Sequence, residues 1–126
     1  MATQETARHI APLGSALGPV VLEQCRVLFD PEQAAIAAAV PATTTDIAYG
    51  PHERHRLDLY APMGQGPWPV FVFVHGGGFL KGDKGSATDW PNAAVGRMAA
   101  QRGWLGVVIN HRLAPDNMWP SGAEDV

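Results

Sequence analysis

Two hydrophobic rhythms divide this chain. Up to about residue 45 the apolar residues recur at helical spacing, and from Asp46 onward they alternate or run together as they do in strands. The first helical stretch is Val20-Val21-Leu22-Glu23-Gln24-Cys25-Arg26-Val27-Leu28-Phe29. A second begins at Asp30-Pro31-Glu32-Gln33, where Asp30 can cap, Pro31 suits the first helical position and Gln33 can close a capping box. Its alanine-rich run continues to Val40, and Pro41 stops it. The pattern predicts two short helices within residues 1–45, forming either an arm on the surface or a cap over a pocket.

From Asp46 the period is two. Asp46-Ile47-Ala48-Tyr49 and Arg56-Leu57-Asp58-Leu59-Tyr60 read as short strands, with Gly50-Pro51 and a charged run between them, so an antiparallel hairpin is expected. Pro62, Gly64, Gly66, Pro67 and Pro69 mark a loop. Val70-Phe71-Val72-Phe73-Val74 is apolar throughout, which predicts a strand buried on both faces. A helix fits Trp90 to Arg102, with Pro91 at its start and Gly103 just past its end. Within it Val95, Met98, Ala99 and Arg102 share helical spacing, and the first three are expected to face a sheet. Trp104 to Ile109 is a second apolar strand. Strand, helix and strand with apolar strands argue for a parallel βαβ unit, hence an α/β fold. Asn110 to Pro120 reads as a loop, Ser121 as a cap residue, and Ser121 to Val126 as the first turn of another helix.

Composition narrows the function classes. The chain has 126 residues, enough for one small domain with a modest core. A net charge of −3 leaves no basic footprint for nucleic acid. Met1 to Arg8 is polar and shows no signal-peptide pattern, and no apolar run approaches the ~20 residues that span a bilayer. No membrane partner and a cytoplasmic location are therefore expected. Cys25 is the single cysteine, expected as a buried core thiol. His52 and His55 lie in the charged loop and are expected to be exposed. No metal and no cofactor are implied.

The chemistry sits after the first buried strand, in His75-Gly76-Gly77-Gly78-Phe79. Consecutive glycines leave backbone N–H groups uncovered and reach dihedrals closed to other residues. Such donors at the end of a rigid strand suit a negative oxygen as it forms. Phosphate-loop readings fail. The G-x-x-x-x-G-K-[ST] pattern needs Lys where Asp83 stands, and G-x-G-x-x-G needs Gly where Lys81 stands.

Three stretches in order carry a resemblance: Leu57-Asp58-Leu59-Tyr60-Ala61-Pro62; His75-Gly76-Gly77-Gly78-Phe79 with Gly82-Asp83-Lys84; and His111-Arg112-Leu113-Ala114-Pro115-Asp116 with Trp119-Pro120 and Glu124-Asp125-Val126. Together they resemble the N-terminal part of an α/β-hydrolase of the esterase and lipase type, related to hormone-sensitive lipase and carboxylesterases. The family commonly has Tyr where His111 stands and Glu where Asp116 stands. The fold implied is an antiparallel hairpin leading into a parallel βαβ sheet (residues 46–126) behind an N-terminal helical segment (residues 1–45).

The resemblance implies hydrolysis of a small-molecule carboxylic ester, with a short acyl chain by analogy. Gly77 and Gly78 would supply oxyanion-hole amides within the His75-Gly76-Gly77-Gly78 motif. His75 would organise the loop rather than act as base. Arg112 and Asp116 would form a bracing pair, and Asp58 and Asp125 would be structural. Amide or formamide cleavage would use the same donors. No G-x-S-x-G is present, and none of Ser15, Ser86 and Ser121 sits in a nucleophile setting. The alternative is a catalytically inactive truncated remnant or an interaction piece. A sheet ending after the second parallel strand would expose an edge and an apolar face, so self-association through that edge and a poorly soluble or partly molten chain are expected.

Overall fold

In the computed structural model, which describes residues 4–126, the chain divides into two units, one ending at Ala35 and one spanning Ile36–Val126. In the first, α1 (Gln4–Ile10) runs into a 3-10 turn at Ala11–Leu13. Helix α2 (Pro19–Ala39) then carries the chain into the second unit.

The two helices expected before residue 41 are one. Pro31 lies inside α2. It removes a single donor, the one that would meet the carbonyl four residues earlier. Breaking the helix there would require a second, costly nucleation. The strong helix formers Ala34, Ala35 and Ala37 to Ala39 sustain the run. No residue of α2 is buried, so Cys25 is part-buried rather than a core thiol.

The second unit holds a four-stranded sheet: β1 (Thr44–Ala48), β2 (Arg56–Tyr60), β3 (Val70–Val74) and β4 (Leu105–Ile109), in the order β1-β2-β4-β3. β1 and β2 form the expected antiparallel hairpin, with an irregularity between Thr44 and Ile47. β3 and β4 are parallel, paired from Val70↔Leu105 to Val74↔Ile109, and joined through α3 (Trp90–Gln101). The hairpin meets this βαβ unit where β2 runs antiparallel to β4.

Helix α3 packs on the face that carries Asp58, Tyr60, Phe71, Phe73, Gly106 and Val108. The core there is Tyr60, Ala93, Ala100 and Val108, with Phe73 against it. Val95 and Met98, expected to face the sheet, are only part-buried; the buried positions are Ala93, Gly96, Arg97, Ala99 and Ala100. Closeness explains the difference. A Cβ on Gly106 would lie 2.4 Å from the Gly96 carbonyl oxygen, and one on Gly96 would lie 2.4 Å from the Tyr60 ring. Only small residues let the helix backbone rest on the strand.

β3 is not buried on both faces as its composition predicts. Val70, Val72 and Val74 are 62%, 52% and 37% exposed, whereas Phe71 and Phe73, under α3, are part-buried. β3 is an edge strand. The final turn is α4 (Ser121–Glu124), in which Ser121 is the first helical residue rather than a cap; its buried hydroxyl donates to the Asn117 carbonyl at 2.9 Å.

Candidate functional site

Strands β3 and β4 end side by side, and this places His75 next to His111. Both rings are buried and stacked, with centroids 4.6 Å apart and planes 18° from parallel. After His75 the backbone turns through Gly77 (φ +127°), Gly78 (φ +63°) and Phe79 (φ +62°). Glycine is required at 77, where a Cβ would lie 1.9 Å from the Lys81 carbonyl oxygen. It is required again at 82 (φ +120°), where a Cβ would lie 2.2 Å from His75 Nδ1. Gly76 has open space around it.

The hydrogen bonds of this loop are one-sided. The Gly77 carbonyl accepts from the Leu80 and Lys81 amides at 3.2 and 3.3 Å. The N–H groups of Gly76, Gly77, Gly78 and Phe79 meet no acceptor among the described residues, and all four residues are exposed. Adjacent free N–H groups on a tightly turned backbone can hold an anionic oxygen. Beside them a cavity of about 180 Å³ is lined by Phe79, Met118 and Trp119, with Arg112 and Asn117 among its polar members. A larger hollow of about 540 Å³ opens at the opposite end of the strands, between Val40, Pro41, Pro62 and Gly103. No titratable side chain lines that hollow.

Long-range polar ties hold the loop. His75 Nδ1 bonds the Gly76 carbonyl at 2.8 Å. Burial above all, with the neighbouring His111 and Arg54, lowers the His75 pKa against the opposing pull of the Gly76 carbonyl and Asp83. Arg54 donates from Nε to the His111 carbonyl and from Nη2 to the Gly82 carbonyl, each at 2.8 Å. Asn110 accepts from the Lys84 amide at 2.6 Å and donates to Asp83 Oδ2 at 2.8 Å, while the Tyr49 hydroxyl donates to its carbonyl. Buried Lys84 lies 2.9 Å from both Asp46 and Asp58. Burial would lower the Lys84 pKa, but the two carboxylates outweigh it and the pKa is raised.

Two expected features differ at the end of β4. The bracing partner of Arg112 is Asp125, not Asp116. Arg112 Nε and its backbone N–H donate to Asp125 at 2.9 and 2.7 Å, and Nη2 lies 3.2 Å from Glu124. Asp116 is exposed. The first turn of α4 swings Asp125 back onto Arg112, which sequence proximity to Asp116 does not reveal. His55, expected to be exposed, is buried, with Nε2 3.1 Å from Asp125 Oδ1. Burial would raise the Asp125 carboxyl, but hydrogen bonds from Arg112 and the contact with His55 prevail and hold it at about 2.

Ser86 and Ser121 do other work. Ser86 accepts from the Thr88 and Asp89 amides in a turn, and Ser121 bonds Asn117. No serine hydroxyl bonds a histidine among the described residues. Arg54 and Lys84 are the residues that sequence reasoning missed. Their partners lie 21 to 57 residues away, and only the strand pairing brings them together.

The BD-FAE family model matches residues 57–126. The chain is 40% identical over 80 residues to the rice (Oryza sativa subsp. japonica) protein named "Probable isoprenylcysteine alpha-carbonyl methylesterase ICMEL1", covering 63% of this chain and 18% of that one. It is 34% identical over 82 residues to Esterase LipC of Mycobacterium tuberculosis, covering 64% and 19%. The chain thus spans about a fifth of the length of these relatives. An esterase structure from Pyrobaculum calidifontis superposes with a TM-score of 0.53 at 26% identity, over 92% of this chain and 38% of that one.

Proposed function

We propose that this chain, which belongs to the BD-FAE family, supplies the oxyanion-holding part of a carboxylic-ester hydrolase. The observation that carries this reading is the pair of N–H groups of exposed Gly77 and Gly78, which have no acceptor among the described residues and follow closely on a paired strand. When a nucleophile attacks an ester carbonyl carbon, negative charge collects on the carbonyl oxygen. Donors already in place for that charge lower the barrier without reorganising, and one such donor is worth about 10²- to 10³-fold in turnover. The relatives whose names describe esterases favour an ester over an amide as substrate. We take the substrate to be a small carboxylic ester with a short acyl chain.

His75 serves this reading as a loop organiser, being buried and bonded to its own loop. The serine, acid and base of acyl transfer are placed outside these 126 residues, because no G-x-S-x-G occurs within them. The test starts from the coding DNA beyond the Val126 codon. The expected result is a reading frame that supplies G-x-S-x-G followed by Asp and His, whose product hydrolyses p-nitrophenyl butyrate. Gly77→Ala in that product should lower turnover by about 10²- to 10³-fold. If no such frame follows and the chain hydrolyses no ester, the enzymatic reading fails and an inactive remnant takes its place.

A further inference from the structure

Four backbone N–H groups line the glycine loop, but only those that point outward can meet a ligand, and something must set that direction. We propose that Arg54 is a positioning residue which fixes the outward direction of the Gly77 N–H, acting through the ring of His75 and the carbonyl of Gly76. The importance given to that N–H rests on the ester-hydrolase reading above.

A carbonyl oxygen can only accept, so the 2.8 Å contact between His75 Nδ1 and the Gly76 carbonyl requires a proton on Nδ1. In a neutral ring Nε2 then carries a lone pair and needs a donor. Arg54 Nη2 stands 3.4 Å from Nε2 and has no lone pair to offer, so it supplies that donor and disfavours the other tautomer. The ring therefore holds the Gly76 carbonyl inward. The Gly76–Gly77 peptide is trans, so its N–H points opposite to its C=O and away from His75. The next peptide is set independently: the Gly77 carbonyl accepts from Leu80 and Lys81.

The guanidinium is itself well fixed. Its Nε bonds the His111 carbonyl at the end of β4, and its Nη2 bonds the Gly82 carbonyl where the loop closes. Gly82 has no Cβ to push the His75 ring aside; a Cβ there would lie 2.4 Å from the Gly76 oxygen. One side chain thus spans the start of the loop, its end and the neighbouring strand.

The test is a two-bond ¹H–¹⁵N correlation on the full chain labelled at histidine nitrogen, with the glycine amides followed in parallel. The expected result is a wild-type His75 protonated at Nδ1 and bare at Nε2. Arg54→Met should lose that state and shift the Gly77 amide resonance, while Arg54→Lys, which keeps a donor, should retain it. A wild-type His75 protonated at Nε2 overturns the proposal and needs no variant to fold. So does an Arg54→Met chain that keeps the Nδ1 proton with an unmoved Gly77 resonance. Loss of the ester-hydrolase reading would leave these spectra unchanged, so the two ideas fail separately.

Discussion

On one face of the sheet α3 lies so close that Gly96 and Gly106 meet backbone to backbone, while on the other Val70, Val72 and Val74 stand 62%, 52% and 37% exposed. The closed face carries Tyr60, Phe71, Phe73, Gly106, Val108 and a buried carboxylate, Asp58, neutralised by Lys84, and the helix laid on it meets it with small residues, Ala93, Gly96 and Ala100. The open side of β3 is built from valines with no charge among them. Large apolar side chains therefore do not guarantee burial. What buries a face is a partner shaped to reach it, and α3 reaches its face because glycine and alanine let it.

Changes on each face should show that contrast, and the largest effect belongs to the closed one. Lys84→Met strands Asp58, which is 2% exposed, without its cation. Breaking a buried pair from one side typically costs about 3–5 kcal/mol. Denaturant unfolding should show a loss of that order, and replacing Asp58 as well should recover part of it.

Gly106→Ala comes next. Its Cβ would meet Gly96 carbonyl and Cα atoms at 2.4 and 2.9 Å, backbone that cannot rotate away. Overpacking of this kind costs about 1–3 kcal/mol, read as a lower unfolding midpoint with an unchanged slope.

A smaller effect appears in acid. Asp125 has its folded pKa held at about 2, below the ordinary 3.8. The stability it contributes is fully present above pH 3.8 and is lost as the pH falls toward 2. Arg112→Met should flatten that part of the stability profile, and an unchanged acid limb would rule out the pair as its source.

The smallest expected change in stability is for Val72→Lys on the open face, within about 0.5 kcal/mol because Val72 is 52% exposed. We expect its effect in association instead. Sedimentation across a concentration series should show less self-association than the parent chain, since a charge on an uncharged edge strand blunts edge pairing.

The elements with local signals were legible in the sequence. Pro91 and Gly103 bracket α3, alternation marks β2, and unbroken apolar runs mark β3 and β4. What depended on contact across the chain was not. Helical spacing selects Val95 and Met98 by size, whereas the sheet selects Ala93, Gly96 and Ala100 by smallness. The same blindness hid the burial of His55 and the grip of Arg54, which reach across strand pairing, and the partner of Arg112, which the turn of α4 folds back from 13 residues along the chain. The glycine loop was readable as a motif. Why residues 77 and 82 must be glycine became visible only from their neighbours, the Lys81 carbonyl and the His75 ring.

The grip of Arg54 also bears on the order of assembly. Its partners His75, Gly82 and His111 lie 21, 28 and 57 residues along the chain. Closing loops of such length costs entropy that a few hydrogen bonds cannot repay before the strands have paired. A one-residue slip of β4 against β3 would turn its side chains to the wrong face and carry His111 out of reach. The glycine loop is therefore a late product of folding that acts as a register gauge: it takes shape only on a sheet already aligned, and a misaligned chain cannot display it.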